Sequence, residues 1–168
     1  MDAVGILRNF MSGKLLTKAL WNDSQQFQTA VSSDAPYNAG AMLSSLLDLG
    51  FTMSYGDDFN GQTYTINTYQ GYGMAWNQLG VGVQAGVGSW MTPLSEVSQL
   101  ATWAVTPQSG NPPVIGLMLY TFSQDIQQWT HLPQNSPGYM FPNANDHEWQ
   151  KAMVQGMWGP GNWNVVGS

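Results

Sequence analysis

The stretch LGVGVQAGV, residues 79–87, is apolar or glycine throughout except for Gln84. It does not alternate, and near-continuous apolarity of this kind is what a strand covered on both faces shows. Three further runs share the character: KLLTKAL at 14–20, LDLGFTMSY at 47–55 and VIGLMLYTF at 114–122. The four recur at intervals of roughly thirty residues, which leaves room for a helix between successive strands. That is the βαβ rhythm of a parallel sheet, so the expected class is α/β.

The helices can be sought by start signals and apolar spacing. Thr92 before Pro93 supplies an N-cap and a first-turn proline, after which Leu94, Val97, Leu100, Ala101 and Ala104 fall on one face. Asn145 with Glu148 fits a capping box, and Trp149, Ala152, Met153 and Met157 then form the buried stripe of a C-terminal helix over 145–157. Residues 4–11 are expected to form a helix before the first strand, and residues 39–46 a short one before the second. Residues 60–77 stand where a crossover helix belongs, but their Tyr, Thr and Gly content argues against one. The whole chain, 1–168, reads as a single domain.

Composition narrows the function. Only 8% of residues are charged, Lys and Arg number four, and the net charge is −6. No basic footprint exists for a phosphate backbone, so nucleic acid is not an expected partner, nor is an anionic membrane surface. No apolar run is long enough to span a bilayer, and MDAVGILRNFMSGK lacks the basic start and apolar core of a leader. The absence of cysteine excludes disulfides and thiolate metal sites while leaving the compartment open. What the chain does have is Trp, Tyr, Asn, Gln, Ser and Thr, side chains that suit neutral polyols: aromatic faces stack on sugar CH patches and amides hydrogen-bond hydroxyls.

At two of the runs the residues become specific. Met53–Ser54–Tyr55 ends the second, and GLMLY continuing to Asp125 ends the fourth. These resemble the sixth and eighth strands of the chitinase-type glycoside hydrolases, family eighteen. GKLLTKAL and LGVGVQAGVGSWMTP resemble that family's fifth and seventh strands, in the right order. The resemblance implies four βα units equivalent to strands five to eight of a (β/α)8 TIM barrel. A whole barrel of about 250 residues does not fit in this length.

By the same resemblance, Tyr55 is the residue that hydrogen-bonds the substrate acetamido group, with Met53 beside it. Tyr120 stands where the family has a tryptophan flooring the sugar subsite, and Gly56 stands where it has an aspartate. Asp57 or Asp58 then become candidate substitutes, and Gln84 and Asp125 candidate rim residues. The substrate-binding set is therefore Met53, Tyr55, Asp57, Gln84, Tyr120 and Asp125.

No catalytic residue is assigned. The family's aspartate cluster ending in glutamate is missing, and Glu96 and Glu148 both fall in expected helices. Without an acid the leaving oxygen departs poorly. Two readings follow: part of a chitinase-like hydrolase whose acid comes from a missing N-terminal half, or a noncatalytic glycan-binding or structural protein on a degenerate barrel scaffold. Exposed strand edges would call for a complementary half-barrel or a second copy of the chain. The family implies secretion and no cofactor.

Several motifs have plainer explanations. Asp57 and Asp58 read equally as turn residues before Asn60–Gly61. Asp146–His147–Glu148 points in different directions on a helix start, a poor metal chelate. VGVQAGVG lacks the Lys–Ser/Thr of a phosphate loop. Gln84 could equally be a satisfied interior amide, Asp125 a loop cap, and Trp21, Trp76, Trp90 and Trp129 packing residues.

Overall fold

The computed structural model describes residues 1–21, 24–86, 90–120 and 147–159. Helix α1 (Asp2–Phe10) leads into strand β1 (Thr17–Leu20), then come α2 (Ser24–Phe27), α3 (Leu43–Leu46) and β2 (Leu49–Thr52). Helix α4 (Phe59–Gly71) and a 3-10 turn (Trp76–Gln78) precede β3 (Leu79–Gln84), and α5 (Leu94–Ala104), β4 (Leu117–Tyr120) and α6 (Glu148–Trp158) follow. The four strands form one all-parallel sheet in the order β1-β2-β3-β4. Helices stand between successive strands, and the class is α/β. Residues 121–125, including Asp125, lie outside the described residues, as do Trp129 and Asn145.

Residues paired in register face the same side of a sheet. Leu20, Thr52, Val81 and Leu117 form one such row, and Val83 with Leu119 continues it. This side carries the helices: Val81 and Val83 are buried with Ile66, Val97, Leu100, Trp149 and Ala152. Each fully buried aliphatic contributes about 1.5–3 kcal/mol relative to exposure.

The other side runs Ala19, Phe51, Gly80, and then pairs Gly82 with Met118 and Gln84 with Tyr120. None of these residues belongs to the helix-packed core. The apolar run of β3 is thus valine on the helix side and glycine on the other. A Cβ on Gly80 would stand 2.6 Å from the Phe51 ring, and one on Gly82 would strike the carbonyl oxygen of Thr52. Glycine is what lets those neighbours close over the strand.

Helix α4 forms where composition argued against it. Its buried stripe is Gln62, Ile66 and Tyr69 at helical spacing. Asp58 caps it, accepting from Gly61 N–H at 2.8 Å, and Glu96 of α5 accepts from Phe59 N–H at 2.9 Å. Thr63, Thr65 and Thr68 return their hydroxyls to carbonyls four residues back. Caps and tertiary burial outweigh weak intrinsic propensity.

Two further starts differ from expectation. Thr92 does not cap α5: its hydroxyl accepts from the backbone N–H of Gln84, and its carbonyl accepts from the Trp149 indole. It ties the end of β3 to α6 while Pro93 opens the helix. Helix α6 begins at Glu148, with His147 ahead of it at a left-handed φ of 49°. It crosses α5 at Gly156, where a Cβ would lie 2.5 Å from both the Ser98 carbonyl oxygen and Ala101 Cβ.

Candidate functional site

In a parallel α/β sheet the loops after the strands gather at one edge, and ligands bind there. Here that edge carries Trp21 after β1, residues 53–57 after β2, Gln84 and Trp90 at and after β3, and Tyr120 at the end of β4. Trp21 and Trp90 approach each other with ring centroids 6.4 Å apart, joining the loops on either side of β2, and both are more than half exposed. With Met53, Tyr55 and Asp57 they line a cleft of about 460 Å³. Its far wall is one face of α4 with the residue that ends it: Tyr64, Thr65, Thr68, Tyr69 and Tyr72.

Tyr55 links the cleft to the open sheet face. Its ring stacks on Tyr120 at 5.5 Å and 14° and lies over Gly82, whose Cβ would be 2.9 Å from Tyr55 Cε1. Only 5% of Tyr55 is exposed, and its hydroxyl has no hydrogen-bond partner among the described residues. Burial, and then the neighbouring phenol of Tyr120, push the Tyr55 hydroxyl up to about 12. It stays protonated and so keeps its donor hydrogen. Ser54 Oγ, also within the cleft lining, is likewise buried without a partner.

Gly56 follows at a φ of 83°, the left-handed region that a side chain makes costly. The sharp turn after Tyr55 thus accounts for glycine at this position. Asp57 is exposed at the cleft margin, while Asp58 turns away to cap α4.

Of the residues expected to meet a ligand, the structure brings Met53, Tyr55 and Asp57 into one cleft and sets Tyr120 against Tyr55. Gln84 is half-buried and in register with Tyr120 but does not line the cleft, and Asp125 lies outside the described residues. Trp21 and Trp90, plausible as mere packing, form the facing pair, whereas Trp76 is buried and packs on Trp103. The α4 wall was missed. Its signal was the Tyr and Thr richness of residues 60–77, which counts against a helix by propensity and for a polyol-binding face by chemistry.

Asp57 is the one carboxylate in the described cleft lining. Glu96 is engaged by the α4 backbone, and Glu148 opens α6. Among the described residues no three His, Cys, Asp or Glu side chains gather to hold a metal, and no helix is long and apolar enough to cross a membrane. No family model matches the chain, and no curated protein or solved structure is significantly similar to it.

Proposed function

We propose that the cleft binds a glycan containing N-acetylglucosamine, and that the chain contributes the sugar-binding half of a chitinase-like site without its acid. The observation that carries this reading is the Tyr55 hydroxyl, buried without a partner among the described residues, on a ring stacked against Tyr120 at the carboxyl edge of a parallel sheet. A buried hydroxyl without a partner costs about 1–3 kcal/mol, a cost an acetamido carbonyl would relieve by accepting its proton. Trp21, Trp90, Tyr64 and Tyr120, all substantially exposed, offer flat apolar faces to sugar rings, and Thr65 and Thr68 add hydroxyls to the cleft wall.

Hydrolysis needs a proton at the glycosidic oxygen; Glu96 is held at the start of α4, Glu148 lies in α6, and neither lines the cleft, where Asp57 is the one carboxylate among the described residues. In this reading the acid comes from a complementary half-barrel, and the chain alone binds but does not cleave. The absence of a glutamate from the described cleft lining equally favours the second reading, a glycan binder with no hydrolytic role.

The test is calorimetric titration of the folded chain with chitotetraose. Binding that Trp21→Ala and Trp90→Ala each weaken by about 1 kcal/mol or more, roughly fivefold in Kd, is expected from loss of a stacking face. A folded chain that gives no heat and no melting-temperature shift at about 5 mM sugar would overturn the proposal. Cleavage of the tetramer by the purified chain would refute the missing-acid argument.

A further inference from the structure

Among the described residues the sheet has two unpaired edges and one face without helices, and exposed apolar side chains collect near them. Among the described residues β1 pairs only with β2, and β4 only with β3. Beside β1, helix α1 turns its inner side, including Gly5, toward Val31 and the Tyr37 carbonyl. Its opposite side is Ala3, Ile6, Leu7 and Phe10, an apolar stripe at helical spacing that is largely exposed, Phe10 73% and Leu7 48%, although the Phe10 ring meets Tyr37 edge-on at 5.7 Å. Leu15, in the turn leading to β1, is 69% exposed. An exposed apolar stripe of this kind marks a surface for another molecule.

The β4 edge is the counterpart. Ile115 and Tyr120 are exposed there, and Met118 faces the helix-free side beside Gly82. Both edges belong to strands of four residues running in the same direction.

We propose that this surface takes a second copy of the chain, with β4 of each copy pairing in parallel with β1 of the other. The proposal does not depend on glycan binding, and it takes the place of the acid-bearing complementary half-barrel of the first reading above, since both would occupy the same two edges. The topology commits the occupant: a four-stranded parallel sheet with helices on one face only is half of an eight-stranded closure. A two-fold axis joins edge β4 to edge β1 twice, leaving no open edge. Antiparallel pairing of β1 with β1 would leave both β4 edges open and is disfavoured for that reason.

Closure seats the α1 stripe against the helix layer that follows the partner's β4. It also turns Ala19, Phe51, Met118 and Tyr120 inward, and interiors of eight-stranded barrels are just wide enough to be filled by such side chains.

Light scattering on the eluted full chain at about 100 µM should give twice the 18.4 kDa chain mass. Leu7→Glu combined with Phe10→Asp should return the mass of one chain with unchanged far-ultraviolet circular dichroism, since both residues are exposed. Pairing is read by cysteine, which the chain lacks. Ala19→Cys and Met118→Cys sit three strands apart in one copy, about 14 Å, beyond disulfide reach.

The double variant should therefore cross-link between copies on mild oxidation, and neither single variant should. A monomeric wild type overturns the proposal. So does a dimer that survives the α1 substitutions, or one that cross-links through Ala19→Cys alone.

Discussion

Replacing Tyr55 by phenylalanine separates stability from binding. The ring is held by its stack on Tyr120 and by its seat over Gly82, and the substitution leaves both in place. What it removes is a hydroxyl buried without a partner among the described residues. Leaving such a group unsatisfied costs about 1–3 kcal/mol, so its deletion should stabilise the free protein, and about 1 kcal/mol is a conservative expectation. For a chain of this size that raises the melting temperature by about 2–4 °C.

The same deletion removes the donor proposed for the sugar carbonyl. A neutral hydrogen bond of about 0.5–1.5 kcal/mol corresponds to a roughly two- to tenfold weaker Kd for chitotetraose. Differential scanning calorimetry and isothermal titration measure the two effects on one preparation. A variant that is less stable and binds equally well would refute the reasoning, because the hydroxyl would then be a structural group.

Unfolded tyrosine loses its proton near 10.0 while folded Tyr55 holds it to about 12, so the folded state binds more protons in that window. Stability therefore falls as pH rises from 10 toward 12, and Tyr55→Phe abolishes that component.

Other expectations follow from the same contacts. Gly82→Ala drives a Cβ into the Thr52 carbonyl oxygen and toward the Tyr55 ring; a loss of about 1–3 kcal/mol is expected in urea titration, with weakened sugar binding, and a change under about 0.3 kcal/mol would show that the strands yield freely. Glu96→Ala removes the acceptor for Phe59 N–H and should cost about 0.5–2 kcal/mol at the start of α4, while sugar affinity stays within about twofold because Glu96 does not line the cleft. Asp48 bridges Arg8 at 2.7 Å and accepts from Leu16 N–H, which hold its carboxyl below the ordinary 3.8. Its contribution is present above that value and lost as pH falls through the lowered one, so Asp48→Asn should flatten the acid limb of the stability curve.

The strand rhythm was legible because apolar runs bounded by polar residues survive any detail of packing. All four runs contain a strand, although each strand is shorter than its run. Helix α5 was legible from its stripe, but Thr92 was not, since its hydroxyl serves a strand eight residues earlier rather than the helix it precedes. Helix α4 was misjudged because two of its supports, the Glu96 carboxylate and the burial of Tyr69 against Phe27, come from distant parts of the chain.

The sequence by itself determined the α/β class, the order of the strands along the chain and the aromatic, charge-poor chemistry of the surface, because these depend on local pattern and composition. Only the tertiary structure decided that Tyr55 and Tyr120 stack, that Trp21 meets Trp90 across β2, and that Glu96 is committed to a helix start. Those outcomes turn on which side chains the sheet register brings within a few ångströms, a relation between residues far apart in the chain that no local pattern encodes.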